Sequence, residues 1–389
     1  MTLPVIAMNR QHVLGCTAAL LGALASPAHA VPQLLQGQIG GAAVVMELNV
    51  AQDGKTDGRY FYRKYHRDIA LDGQRGTDGS VALGENLGYN ESRTDLTLRP
   101  DGKGGWKGVW RGKKGPAQTV TLSPLVVTTL PTSDIASLAK LRQQHPYEFA
   151  RLADLTLQQG NLQHFGRYTL RWWKEPISKV RFFRVVDGYP AAVQDRVNRV
   201  LESRQWEEVN GYFGCALGGA HRGEFEYDQT VTPRYLTDRV LSASVFTSYD
   251  CGGAHPDFGD QPINLDVQTG HQLQLEDVLW LGQGAPNIPR DADGYPQNYD
   301  YQNKVLGPWL AKTLLQLYPK QMAPKDKDDD CDYRSSGLWA LPSWYLLPQG
   351  LYLGPSFPRV ARACEYPEWS ILPWKLVKQH RGDPGLSLP

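Results

Sequence analysis

Ile69-Ala-Leu-Asp-Gly73-Gln-Arg-Gly-Thr-Asp-Gly79-Ser-Val-Ala-Leu83 sets short apolar runs beside Asp-Gly pairs, and this arrangement decides how the first part of the chain is read. Asp-Gly between alternating apolar residues is among the strongest hairpin signals, because glycine takes the positive φ of a tight turn without a Cβ clash. Working outward, the pair recurs at Asp53-Gly54, Asp57-Gly58 and Asp101-Gly102. Strand-like runs lie between the pairs, at residues 44–48, 60–65, 69–71, 81–87, 96–98, 106–110 and 119–122. The spacing predicts an all-β domain over residues 31–130, an up-and-down meander curled into a small sandwich or open barrel.

The period then changes. Ile135, Leu138 and Leu141, followed by Phe149, Leu152 and Leu155, recur at helical spacing with Pro146 between them, which predicts two short connecting helices within residues 131–164. Residues 165–389 mix both periods. Strands are expected at 179–186, 225–231, 240–249, 263–267, 272–275, 344–347, 351–353 and 370–372. One helix is expected to open at Tyr189-Pro190 and carry Val193, Val197, Val200 and Leu201 on one face. A second fits residues 301–317, with Pro308 inside it. The expected class is α+β: the β-rich domain, then an α+β domain with a mainly antiparallel sheet.

The start of the chain bears on compartment. After Met8, a basic beginning at Asn9-Arg10 leads into an apolar stretch over residues 13–25 and the small-x-small end Ala28-His29-Ala30. This pattern predicts an export signal over residues 1–30, cleaved near Ala30, with either Met1 or Met8 as the initiator. Cys16 lies inside the apolar stretch, not at its end, so cleavage is preferred to lipidation. Arg10 is the only charged side chain removed, so the mature chain has Lys+Arg equal to the 40 Asp+Glu. A neutral chain without a basic block gives no reason to expect nucleic acid as a partner. No later run of 18 or more apolar residues predicts a membrane span. The expected location is periplasmic or secreted.

Export leaves Cys215, Cys251, Cys331 and Cys364. In an oxidising compartment four cysteines point to disulfides, and Cys215–Cys251 with Cys331–Cys364 keeps each bridge within one contiguous stretch. The rival reading gathers Cys215, His221, Cys251 and His255, from two Gly-Gly-Ala-His segments, into a tetrahedral zinc set. Oxidation of the thiols is favoured, so no metal and no cofactor is expected.

Val240-Leu-Ser-Ala-Ser-Val-Phe-Thr-Ser-Tyr249, Cys251-Gly-Gly-Ala-His-Pro256, Asn264-Leu-Asp-Val-Gln-Thr-Gly270 and Leu273-Gln-Leu-Glu-Asp-Val-Leu279 together resemble the domain of unknown function 3298. Tyr189-Pro190 with Val197-Asn198 upstream, and Gly350-Leu-Tyr-Leu353 and Ile371-Leu-Pro-Trp374 downstream, extend the likeness over residues 165–376. That domain is known from an RsiV-type lysozyme-sensing anti-sigma factor and from the non-catalytic part of some peptidoglycan deacetylases. The resemblance implies an exported α+β recognition domain. It does not carry over the sensor's membrane helix or a deacetylase's metal-binding pattern, neither of which this sequence holds.

Candidate chemistry is sparse. His255 with Asp250 and Asp257 nearby could move protons near neutral pH, although a histidine beside a carboxylate in a loop also serves as a hydrogen-bonded structural group. No Gly-x-Ser-x-Gly, His-Glu-x-x-His or phosphate-binding glycine loop is present. Asp326, Asp328, Asp329, Asp330 and Asp332 approach a calcium loop, but Cys331 and Gly337 stand where that loop needs Gly and Glu, which favours a solvated acidic loop. Trp339, Trp344, Tyr345, Tyr352, Tyr366, Trp369 and Trp374 are either core or a surface for sugars and proteins. The expectation is a non-enzymatic recognition protein of the cell envelope. It would bind a lysozyme-like protein or peptidoglycan-type glycan, with His255, Trp344 and Tyr352 as binding candidates. The competing expectation is an envelope hydrolase using His255 and Asp257.

Overall fold

The computed structural model describes residues 32–85, 95–112, 114–291, 294, 296–323 and 331–388, so the expected export signal and Asp326, Asp328, Asp329 and Asp330 lie outside the described residues. The chain opens with β1 (Gln33–Ile39), β2 (Ala42–Val50), β3 (Lys55–Tyr62), β4 (Asp68–Arg75), β5 (Val81–Glu85), β6 (Leu96–Pro100), β7 (Trp106–Trp110) and β8 (Gln118–Pro124). Each strand pairs with the next, and β8 returns to β1 with Gly37 opposite Leu122, so the sheet is a closed barrel. The expected sandwich or open barrel is therefore corrected to a closed one. Val44, Met46 and Leu48 alternate inward with Tyr60, Leu83 and Leu98 to fill the interior.

The Asp-Gly pairs explain the difference. Gly54, Gly79 and Gly102 do turn the chain, with φ of 88°, 79° and 77°. Gly58 and Gly73 instead lie inside β3 and β4. A Cβ on Gly73 would stand 1.9 Å from the Ala82 carbonyl oxygen, and one on Gly58 2.4 Å from that of Glu47. These two glycines let neighbouring backbones press together where the sheet curls, a strand use of glycine that the turn signal hides.

Two helices follow, α1 (Ala136–Gln144) and α2 (Pro146–Leu152), with Pro146 in the first turn of the second. Tyr147, Phe149 and Ala150 pack on Val45 and Phe61, the outward-facing neighbours of barrel-filling residues. At this seam Asp68 and Arg151 form an ion pair, their side chains 0% and 1% exposed. Tyr147 also donates to Asp68, at 2.6 Å.

Next come β9 (Gln158–Phe165), β10 (Tyr168–Lys174) and β11 (Arg181–Asp187), an antiparallel sheet in the order β11-β10-β9. β9 occupies the end of the stretch read as a helical connection; its exposed, Gln-rich sequence shows no apolar alternation. α3 (Ala191–Gly219) packs on β11 and continues well past the expected Val193–Leu201 face, burying Trp206, Val209 and Phe213 as well. Its end is rich in glycine because Gly218 touches the loop after β13: a Cβ there would meet the Cys251 carbonyl oxygen at 2.5 Å.

β12 (Glu226–Leu236) and β13 (Val240–Asp250) form a long hairpin, and β14 (Asp257–Asp260) and β15 (Ile263–Asp266) pair with the two ends of β13. α4 (Leu275–Val278) stands where strand 272–275 was expected to end, capped by Gln274 and Asp277. A π-helical turn over Gln302–Leu306 precedes α5 (Gly307–Leu317), placing Pro308 in a first turn, where its missing N–H is harmless. β16 (Ser343–Leu347), β17 (Gly350–Gly354) and β18 (Ile371–Pro373) form a last antiparallel sheet, followed by α6 (Trp374–Gln379). The class is α+β with mostly antiparallel sheets. Disulfides join Cys215 to Cys251 and Cys331 to Cys364. Among the described residues, no helix is long and apolar enough to cross a membrane.

Two outcomes follow for stability. Asp68→Asn leaves Arg151 buried without its counter-ion and should cost about 3–5 kcal/mol in urea unfolding, while Asp68→Leu with Arg151→Met should recover most of it. A loss under about 1 kcal/mol in the single variant would contradict this account of the seam. On α3, a Cβ on Gly214 meets nothing within 4 Å, whereas one on Gly218 collides with backbone. Thermal unfolding should therefore show Gly214→Ala stabilised by roughly 0.5–1 kcal/mol and Gly218→Ala destabilised.

Candidate functional site

β12, β13, β14 and the β16–β17 hairpin enclose a cleft of about 580 Å³. Strand alternation decides what faces it. Thr230, Thr232 and Arg234 come from β12, Ser244 and Phe246 from β13, Asp260 from β14, Tyr345 from β16 and Tyr352 from β17, with Tyr366 and Glu368 closing one side.

Arg234 is positioned by a β-bulge. Pro233 pairs with Ala243 and Tyr235 with Ser242, so Arg234 is the extra residue between them. A bulge bends and twists the strand locally, and Arg234 stays on the face of Thr230 and Thr232. The Arg234 guanidinium lies over the Tyr345 ring, 4.7 Å from its centroid. Tyr345 stacks in turn on Tyr352, directly opposite on β17, with centroids 4.3 Å apart and planes inclined by 15°. The stack fixes the cation without neutralising it, and the Arg234 Nε is buried with no hydrogen-bond partner.

Asp260 supplies the opposite charge. It accepts from Ser244 Oγ at 2.6 Å and from the Val245 N–H at 2.8 Å, and its own N–H donates to the Tyr366 hydroxyl at 2.9 Å. Burial raises its carboxyl above the ordinary value, although these donors and the Arg234 charge pull the other way. Burial likewise raises the Tyr345, Tyr352 and Tyr366 phenols, so all three act as neutral hydrogen-bonding groups near neutral pH. Tyr366 has φ of 62°, a costly conformation for a bulky side chain. Edge-on packing against Phe246 at 5.7 Å helps hold it there. The cleft thus presents a guanidinium, hydroxyls and carboxylates at fixed positions. Among its described lining residues there is neither histidine nor cysteine.

The sequence candidates are dispersed. Tyr352 lies on the cleft floor, 2% exposed. Trp344 projects from the other face of β16 and lines a different cavity. His255 is exposed in the loop between β13 and β14, where its carbonyl accepts from Arg359 at 3.4 Å. Asp257 is held by Arg362 at 2.8 Å and by Arg359 at 3.8 Å, and Asp250 accepts from the Gly252 N–H at 3.0 Å. The disulfide removes Cys215 and Cys251 as thiolate ligands. Asp332 pairs with Arg334 at 2.6 Å. Of the aromatic cluster, Trp339 is fully buried and packs with Tyr333 and Trp369. Arg234 and Asp260 escaped the sequence reading. Pro233 was their one local signal, since proline inside a strand marks a bulge or an edge.

The raised Asp260 carboxyl has a signed consequence. The folded chain holds this proton to higher pH than the unfolded chain does, so ionisation costs stability as pH rises through the window just above 3.8. Asp260→Asn can still accept from Val245 and donate to Ser244. Its melting temperature relative to the parent protein should climb as pH goes from about 4 to 7. A difference independent of pH would refute the assignment.

No family model matches the chain, and no curated protein does. Among solved structures it is similar to a member of the DUF3298 family from Bacteroides fragilis, at 11% identity and a TM-score of 0.34. The match covers 59% of this chain and 94% of that one. A likeness this slight carries no argument about the cleft.

Proposed function

We propose that this chain is an exported, non-enzymatic recognition protein of the cell envelope, and that its cleft takes a peptidoglycan-type glycan fragment through an acidic group. The observation that carries this reading is Arg234. It sits at a bulge on the cleft face of β12 and is backed by Tyr345, and among the described residues no carboxylate lies within ion-pair distance of it. A guanidinium held in this way suits a carboxylate ligand, which it can meet with two parallel N–H donors. Thr230, Thr232 and Gln349 add groups able to bind sugar hydroxyls or amides.

Shape favours a fragment over a whole protein. A concavity of about 580 Å³ has the dimensions of a small-ligand site, whereas a stable protein interface spreads over roughly 800 Å² of each partner. The two disulfides support an oxidising compartment. Binding is preferred to hydrolysis because Asp257, the carboxylate proposed to work with His255, is committed to Arg362 and Arg359.

Calorimetry of the chain from Val31 onward with muropeptides tests the reading. Arg234→Ala should weaken binding about tenfold to a hundredfold, and Arg234→Lys should restore part of it. Affinity indifferent to Arg234, or retention of a lysozyme-type protein with no muropeptide binding, would overturn it.

A further inference from the structure

Three charged side chains line the cleft: Arg234 from β12, Asp260 from β14, and Glu368 from the segment between Tyr366 and β18. Their fields meet at the Tyr345 phenol. Burial raises it most, the Arg234 charge pulls it down, and Asp260 and Glu368 push it up again. Among the described residues, no ion pair joins Arg234 to either carboxylate.

The bonds already made decide which of these groups can meet a ligand. Asp260 is buried and accepts from Ser244 and from the Val245 N–H. Arg234 Nε is buried, but Nη1 and Nη2 are accessible and bond to no group among the described residues. Glu368 is exposed, and among the described residues its carboxylate has no hydrogen-bond or ion-pair partner. The cleft therefore holds an unspent cation and an unspent anion, set apart. A ligand with a carboxylate alone would satisfy Arg234 and meet Glu368 as a like charge, which costs affinity. A ligand that also carries an ammonium turns that repulsion into a second attraction.

We infer that the acidic group taken by the cleft belongs to a zwitterion, an amino-acid group in the peptide stem of the fragment. Its carboxylate meets the Arg234 Nη donors, and its free ammonium meets Glu368. This inference rests on the cleft reading and adds a selection rule to it: the chosen carboxylate is one whose neighbouring amine is unacylated. A stem residue with its nitrogen tied up in an amide offers no ammonium, so Glu368 disfavours it.

The experiment is calorimetry of the chain from Val31 onward with N-acetylmuramoyl tripeptide ending in diaminopimelate, in its native form and with the free amine acetylated. Acetylation should weaken binding about tenfold. Glu368→Gln should weaken binding of the native fragment about tenfold and leave the acetylated one unchanged, the signature of a direct coupling between the two groups. Glu368→Asp should keep most of the native affinity. Because Glu368 bonds to no other described residue, these replacements disturb no described contact. Arg234→Ala should weaken both fragments. Equal affinity for the two fragments, or the same loss with both in Glu368→Gln, would overturn this inference and leave the cleft reading standing. Failure of either fragment to bind at all would overturn the two together.

Discussion

The buried pairing of Asp68 with Arg151 is the constraint on which the arrangement of the chain depends. Taking both charges out of water is costly, and their attraction offsets that cost only in close geometry with further polar partners, which all but the buried Arg151 Nε have a part in here. Here Tyr147 donates to Asp68, while the Arg151 guanidinium lies 4.9 Å from the centroid of Phe213 on α3. Barrel, α2 and α3 therefore meet at one point. A displaced barrel would leave two buried charges unpaired, an energy gap larger than sliding apolar surfaces alone would produce. From α3 the constraint passes through Cys215–Cys251 to the end of β13, and through β13 to the wall of the cleft.

Strand alternation then sets one hairpin between two cavities. Trp344 and Tyr345 are adjacent in sequence but lie on opposite faces of β16. Tyr345 meets Arg234 and Tyr352, whereas Trp344 borders the cavity of Gln302 and Glu276. The two cavities share a wall yet differ in chemistry: one presents a cation without a bonded counter-charge, the other a paired Arg290 and Glu276. Asn264 ties the hairpin down by donating to the Trp344 carbonyl at 2.9 Å, so the shared wall is held by a group from β15 that belongs to neither set.

Local signals were legible where they act locally. Val193, Val197 and Leu201 announced the start of α3, and the two cysteine pairs announced their bridges. What failed were residues whose role is set across the fold. Gly58 and Gly73 carry a turn signature but serve barrel curvature, because the colliding atoms belong to neighbouring strands. Gly218 belongs to a Gly-Gly pair yet stays helical, since the loop it must accommodate lies at Cys251, far along the chain. Proximity in sequence also misled: Asp257 stands close to His255 in the chain, but its partners are Arg359 and Arg362.

The same logic explains why Arg234 is a better candidate than any residue chosen from sequence. An arginine on an open strand face would have an exposed guanidinium that seeks solvent or a surface carboxylate. Arg234 keeps the alternation of Thr230 and Thr232 at the bulge after Pro233, and the Tyr345 face replaces solvent on one side of the guanidinium. Asp260 is near enough to feel its charge but spends its oxygens on Ser244 and Val245. If these two charges paired directly, the cleft would be closed to a carboxylate. Holding them apart leaves the guanidinium's donors unspent on Asp260, and the Ser244 hydroxyl and Val245 N–H are the groups that make the separation tolerable.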